Sequence, residues 1–306
     1  MITRIKFIKA DLDTVTAASL ILDRLPENIE VLKINADKYD IYDKTCLCLE
    51  CGGDGLVKFN CFDHHQNYSL PCACAQVFNI YSCNNKLLNF INYVAQIDNG
   101  RVTHRKSEYP SDSTSVSALF SGMLYTCSDE LTRFKKGFEL IKLLTASENV
   151  LKNPDNFCPA EDPLFQKYNM TKRHFSDALH AQENRIVTVE QSPLPLMYLK
   201  TDLAGVHGYL HGLGAAISIA AGHSHNRISI SSTHDFREVI MHAEQQLNML
   251  EAKVQERSMD YSGRTWGGHP ESGIIGSPRH GGSRLPFGTI IAVLCKICSD
   301  FVKSRL

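Results

Sequence analysis

Net charge, tryptophan and long apolar runs are all scarce in this sequence. Lys and Arg number 32 against 33 Asp and Glu, a formal net charge of −1 at pH 7. A chain so balanced sets up no field that would gather long nucleic acid. A processive single-strand exonuclease would need a basic groove lined with stacking aromatics, and this chain has one Trp. A local basic groove stays open, but a small or short anionic substrate fits the charge balance better. No uninterrupted apolar run approaches the roughly 20 residues of a membrane span, so no membrane partner is expected. The opening residues, MITRIKFIKADLD, carry charges every few positions and lack the apolar centre of a secretory signal. Nothing matches a P-loop, a dinucleotide fingerprint or a G-x-S-x-G elbow.

Cysteine is not scarce: there are 11. The odd number, the length of the chain and the absence of a secretory signal point to reduced thiols in a cytosol, not to a disulfide framework. Cys48 and Cys51, and Cys295 and Cys298, have the C-x₂-C spacing of zinc ligands. The first pair lies in TCLCLEC, which alternates like a strand. Positions three apart on a strand point to opposite faces, so a shared metal is not expected there. The second follows IIAVL and reads as buried strand or helix. Small buried apolar cysteines are the expectation for both pairs.

With 306 residues, 43% hydrophobic and 21% charged, the chain can form two domains with real cores. Residues 2–10 read as a strand, 14–25 as a helix with Asp13 placed to cap it, and 29–35, 45–51 and 56–62 as further strands. Helical patterns follow at residues 86–97 and 113–144. Strands alternating with helices imply an α/β domain with a mostly parallel sheet. Residues 146–163 are polar and contain proline, as expected of a connection, and residues 171–184 look helical. From about residue 190 a second, smaller α/β domain is expected, with extended segments at 197–200 and 227–231, a helix near 236–254 and glycine-rich loops. The domain bounds are therefore 1–145, 146–189 for the linker and connecting helix, and 190–306.

In a parallel sheet, ligands collect beyond the carboxyl ends of the strands. Acidic residues fall there three times: Asp11 and Asp13, Glu50 and Asp54, and the triplet Asp63-His64-His65 in FNCFDHHQN. Asp98 ends the helical pattern that follows. Carboxylate oxygen with imidazole nitrogen suits a borderline divalent cation such as Mn²⁺ or Zn²⁺, and such ions polarise phosphoryl groups and generate hydroxide at neutral pH. His207, His211, His223 and His225, in VHGYLHGLGAAISIAAGHSHN, could also bind metal, but a glycine-rich surface loop is the simpler expectation.

D-x-D after the first strand, an acid after a later strand, D-H-H, and a further Asp in VAQIDNG together resemble the DHH phosphoesterase superfamily. That superfamily includes RecJ-type exonucleases, oligoribonucleases, cyclic dinucleotide phosphodiesterases, family II pyrophosphatases and exopolyphosphatases. Trp266-Gly267-Gly268-His269-Pro270-Glu271-Ser272-Gly273 is similar to the GGHP-x-x-x-G signature of the DHHA1 domain. The resemblance implies metal ligands at Asp11, Asp13, Glu50, His64 and Asp98, with Glu50 bridging two Mn²⁺ ions. It implies a catalytic role for His65 at the substrate, supported by Asp63 as an outer carboxylate. Gly267, Gly268 and His269 would bind substrate phosphate, with Arg264 and Arg279 as flanking candidates; Arg101, His104 and Arg105 are weaker ones.

What the resemblance implies as activity is hydrolysis of a short phosphodiester or small phosphate ester, such as an oligoribonucleotide, cyclic dinucleotide or nucleotide phosphate. The length leaves room for the two units alone, and a homodimer stays open. The sequence departs from the pattern in two places. Phe7 and Lys9 stand where the family carries a metal-binding histidine, and Glu50 replaces the usual bridging Asp, with Asp54 as an alternative supplier. One metal site would then keep a full ligand set while the other, around Asp11, is weakened. The alternative reading is a non-catalytic relative that keeps a phosphate- or nucleotide-binding cleft.

Overall fold

The computed structural model describes the chain except residues 34–35, 37–39, 66, 68, 82–83, 100–112, 224–226, 258–264, 271–272, 279–281 and 306. The described residues form two compact units, the first running to Arg173 and the second starting at His174.

The first unit contains β1 (Arg4–Phe7), α1 (Leu12–Ile21), β2 (Asn28–Val31), β3 (Cys46–Leu49), β4 (Cys61–Phe62), α2 (Ala73–Tyr81), α3 (Leu88–Asp98), α4 (Val116–Tyr125), α5 (Glu130–Ala146) and α6 (Glu148–Lys152). It also holds the start of α7 (Pro163–His180), and the division between the units falls within that helix. The sheet has the order β2-β1-β3-β4 and every pairing is parallel. All four residues of β3 are buried, the mark of a strand covered on both faces. Ile5, Phe7, Leu47, Leu49 and Phe62 face the main core with α1 to α5. Cys46, Cys48 and Cys61 face the other way, into a small cluster with Ile8, Leu32 and Ile41.

Three local expectations are corrected here. The helix after β1 is capped by Asp11, not Asp13: the Asp11 carboxylate accepts from the Thr14 amide at 3.0 Å. Residues 56–62 are not one strand. Val57–Phe59 form a 3₁₀ turn, Asn60 adopts a left-handed conformation (φ 59°), and only Cys61 and Phe62 pair with β3. Cys48 and Cys51 do not point to opposite faces. The chain leaves the strand at Glu50, where φ is +48°, and this turn brings Cys51 into the same cluster as Cys48.

The second unit contains β5 (Val187–Thr188), β6 (Leu196–Lys200), α8 (Val206–Gly212), β7 (Ile217–Ala221), β8 (Ile228–Ser232), α9 (Arg237–Arg257), β9 (Gly267–His269), β10 (Ile274–Gly276) and α10 (Phe287–Lys303). Its sheet runs β5-β6-β7-β8-β10-β9, and only the β6–β7 pairing is parallel. Ile217, Ile219, Ile228 and Ile230 pack with α9 and α10. The alternate residues Ser218, Ser229 and Ser231 point to α8. There His207 bonds Ser218 at 2.8 Å and Ser229 at 2.7 Å, while His211 bonds the Ala215 carbonyl at 2.8 Å. These two histidines therefore belong to a polar helix–sheet contact, not to a surface loop. Among the described residues no helix is long and apolar enough to cross a membrane.

Candidate metal centre

The sheet of the first unit delivers its chemistry at one end. Asp11 and Asp13 follow β1, Glu50 follows β3 directly, Asp63-His64-His65 follow β4, and Asp98 is the last residue of α3. Ligand atoms of Asp13, Glu50, His64 and Asp98 all lie within 4.8 Å of one another. A second grouping, Glu50 with His64 and His65, meets the same limit. These residues come from positions 13, 50, 64, 65 and 98, so only the parallel topology brings them together. Asp11 lies outside both groupings, with its carboxylate engaged at the start of α1. Asp54 also lies outside them.

Each side chain is held from behind. Both Asp13 oxygens accept amides at the N-terminus of α2, from Ala73 at 2.7 Å and Cys74 at 2.8 Å. That leaves each oxygen a second lone pair. Glu50 accepts a bond from the Thr14 hydroxyl and meets His64 Nε2 at 3.3 Å. Its left-handed backbone costs about 1–3 kcal/mol at a non-glycine residue, strain of the kind that collects at functional positions. His64 Nε2 also stands 3.5 Å from Asp98 Oδ2.

Asp63 is the fixed point of the triplet. It accepts from the amides of Gly52 (2.6 Å), His64 (2.7 Å) and His65 (3.0 Å), and from His65 Nδ1 at 2.8 Å. The last bond sets the ring orientation of His65, as a carboxylate behind a histidine does in metal sites. Burial would raise the Asp63 carboxyl, but the bonds from the His65 ring and the His65 and Gly52 amides outweigh it and hold the group below its usual value.

The rest of the cluster is electrostatically unsatisfied. Burial raises Asp13 well above the carboxylate range, helped by Cys72 and Asp98. Burial raises Glu50 likewise, with Asp11 and Asp13 adding to it. Asp98 is raised by burial, partly offset by His64. Burial pulls His64 down, yet the Glu50 bond and the Asp98 charge leave it above an ordinary histidine. Asp98 Oδ2 is buried with no hydrogen-bond partner among the described residues. Converging carboxylates, an imidazole nitrogen between two of them and an orphaned oxygen fit a divalent cation; mixed O and N donors suit Mn²⁺ or Zn²⁺. A cavity of about 270 Å³ opens beside the cluster, lined by Lys9, Asp11, Asp13, Asp98 and apolar residues including Phe120 and Leu124. Phe7 lies in the core, stacked on Phe134 at 4.4 Å, and offers no ligand.

In the second unit, Gly267 and Gly268 open β9, which pairs antiparallel with β10. Gly268 has φ +152°, and a Cβ there would meet the Ile274 carbonyl oxygen at 2.9 Å, so the hairpin itself requires glycine. Gly267 is different: a Cβ there would meet only Glu244 Oε1, at 4.0 Å. The segment is anchored by residues that the sequence did not signal. Glu251, buried in α9, accepts from Trp266 Nε1 (3.1 Å), the Ser283 hydroxyl (2.7 Å) and the Arg284 amide (2.8 Å). Asn248 accepts from the Trp266 amide at 2.7 Å and donates to its carbonyl at 3.1 Å. Of the other candidates, Arg101, His104, Arg105, Arg264 and Arg279 lie outside the described residues, and His269 is described through its backbone alone.

No protein-family model matches the sequence, and no curated protein matches it. Among solved structures, the chain is similar to a pGpG-specific phosphodiesterase from Vibrio cholerae. Identity is 16%, coverage is 98% of this chain and 99% of that one, and the TM-score is 0.55. A DHH domain from a member of the s1p family of ribosomal proteins is more distant, at 12% identity, 96% and 86% coverage and TM-score 0.42. The first likeness spans both units and shows a shared fold. The α/β fold read from the sequence, a mostly parallel-sheet unit followed by a smaller α/β unit, is the fold this chain has.

Proposed function

We propose that the chain is a metal-dependent phosphodiesterase acting on a short phosphodiester or small phosphate ester. One observation carries this reading: Asp13, Glu50, His64 and Asp98 present ligand atoms within 4.8 Å of one another at the carboxyl end of a parallel sheet. Asp13, Glu50, His64 and Asp98 hold a Mn²⁺ ion, and Asp11 with Glu50 contributes to a weaker second site. Bound there, the metal supplies a polarised phosphoryl oxygen and a water acidic enough to attack it. Asp63 keeps His65 in one orientation, ready to hold or move a proton at the reacting phosphate. The Lys9 ammonium adds positive charge at the cavity wall, where a phosphate oxygen gathers charge in the transition state. The cavity's apolar lining favours an ester that carries a base over bare pyrophosphate. In the second unit, Gly267, Gly268 and His269, with Arg264 and Arg279, are the residues proposed to bind substrate phosphate.

Substrates to assay follow from this class: pGpG, the substrate in the name of the fold neighbour, other short RNAs, cyclic dinucleotides, 3′-phosphoadenosine phosphate and pyrophosphate. Bis(p-nitrophenyl) phosphate serves as a generic ester. Mn²⁺-stimulated hydrolysis that His64→Ala abolishes supports the reading. Equal rates from both proteins, or none from either on the whole panel, overturn it. The burial of Phe7 favours a second reading, a phosphate- or nucleotide-binding protein without turnover. That protein would bind members of the panel and hydrolyse none.

A further inference from the structure

Another ligand cluster shares Asp13. Cys72 precedes α2 and Cys74 is its second residue. Their sulfurs are 3.7 Å apart, and both thiols are buried. With a carboxylate oxygen of Asp13 they form a triad whose ligand atoms all lie within 4.8 Å of one another. This triad is separate from the carboxylate–imidazole set except for Asp13.

We propose that Asp13, Cys72 and Cys74 form a binding site for a thiophilic divalent cation, Zn²⁺ by chemistry. Three observations support it. First, the separation fits: two thiolates on a tetrahedral zinc, each at about 2.3 Å, stand about 3.8 Å apart, against 3.7 Å here. Second, the donors suit the ion. Two sulfurs and one oxygen make a set that selects zinc over the hard cations held by carboxylate and water. Third, the Asp13 donor is fixed in place. Its two oxygens accept the amides of Ala73 and Cys74, which keep the carboxylate beside the two sulfurs. Packing alone does not ask for a carboxylate and two thiols within one small buried volume, where each would repel the others once ionised. A cation there ties α2 to α1 through Asp13 and fixes the oxygen that Asp13 turns to the neighbouring cluster. The thiols would bind as thiolates, each releasing one proton to solvent as the metal enters. The site stands whether or not the chain hydrolyses phosphoesters.

Cobalt substitution tests it on the whole protein. Metal-free protein loaded with Co²⁺ should show intense near-ultraviolet thiolate-to-cobalt charge transfer and a tetrahedral visible spectrum. Zn²⁺ should displace it at one equivalent, and Cys72→Ser and Cys74→Ser should each abolish the near-ultraviolet band. His64→Ala should retain the band, which separates this site from the carboxylate–imidazole cluster. Circular dichroism of the serine variants confirms that they are folded; should one fail to fold, the wild-type spectrum and displacement decide. Wild-type protein without the charge-transfer band at saturating Co²⁺ overturns the proposal. So does a band that survives in both folded serine variants. A thiol count of the denatured, unreduced protein that falls two short of the 11 cysteines, with both thiols restored by reduction and still no cobalt band, would assign the pair to a disulfide and also overturn it.

Discussion

Replacing Asp98 by asparagine should stabilise the metal-free protein and remove most of the stabilisation that metal confers. The reasoning starts from geometry: Asp13, Glu50 and Asp98 share a cluster 4.8 Å across, with His64 among them. Two full negative charges at that separation repel by about 3 kcal/mol at an effective dielectric constant of 20. Burial and mutual repulsion already raise all three carboxyls. Asparagine keeps the shape of Asp98, removes its charge and offers an amide donor to a neighbouring carboxylate. The loss of its 3.5 Å pairing with His64 opposes this. A net gain of about 1 kcal/mol is expected, which in a unit of this size moves the melting temperature up by about 2–4 °C. The wild-type protein at a Mn²⁺ concentration of 100 times its Kd should gain about 2.7 kcal/mol, and Asp98→Asn should gain a small fraction of that. Thermal melts by far-ultraviolet circular dichroism, in chelator and in MnCl₂, give both numbers. An Asp98→Asn protein that melts lower than wild type in chelator, or that shows the full wild-type Mn²⁺ shift, would refute the reasoning.

Three further outcomes are expected. Glu251→Ala leaves the Trp266 indole, the Ser283 hydroxyl and the Arg284 amide without their buried acceptor. It should destabilise the second unit by about 2–4 kcal/mol, read as an earlier urea transition of Trp266 fluorescence. Gly268→Ala, which must push against the Ile274 carbonyl at positive φ, should cost about 1–3 kcal/mol, whereas Gly267→Ala should leave the same transition unchanged and weaken substrate binding; equal stability losses would contradict this. His207 is lowered to about 4 by burial and the charge of His211, against about 6.5 in the unfolded chain. Between those values the unfolded chain binds the proton that the folded one refuses. Stability is therefore complete above pH 6.5 and falls by up to about 3 kcal/mol as the pH drops towards 4; a His207 ring resonance that titrates near 6.5 would contradict it.

Much of the candidate site was legible because its residues sit where strands end. Glu50, Asp63 and His64 follow β3 and β4 directly, so a reading of strand position and ligand chemistry found them together. Their mutual supports were less legible. Asp13 sits one position inside α1, and its partners Ala73 and Cys74 are about sixty residues away. No local pattern connects them, so the sequence alone points its carboxylate to α1 and not to the start of α2. The run V-K-F-N-C-F has strand propensity, yet Asn60 in the left-handed region shortens the strand to two residues. The same conformation at Glu50 defeats the period-two reading of Cys48 and Cys51. Glu251 is one acid among many on the amphipathic α9, and nothing in its neighbours marks it as the one that turns inward. His207 and His211 were obscured by their glycines, because the serines they bond arrive from two other strands.

Equilibrium binding of Mn²⁺ to metal-free wild-type and His64→Ala protein tests the central claim most directly. His64 Nε2 stands between Glu50 and Asp98, so its loss removes a ligand and leaves the carboxylates in place. Wild-type protein should take up Mn²⁺ at saturable affinity, and His64→Ala should bind it at least about 10–100-fold more weakly. Absence of Mn²⁺ binding by the wild-type protein, or equal affinity in the two, would contradict the assignment of Asp13, Glu50, His64 and Asp98 as a metal centre.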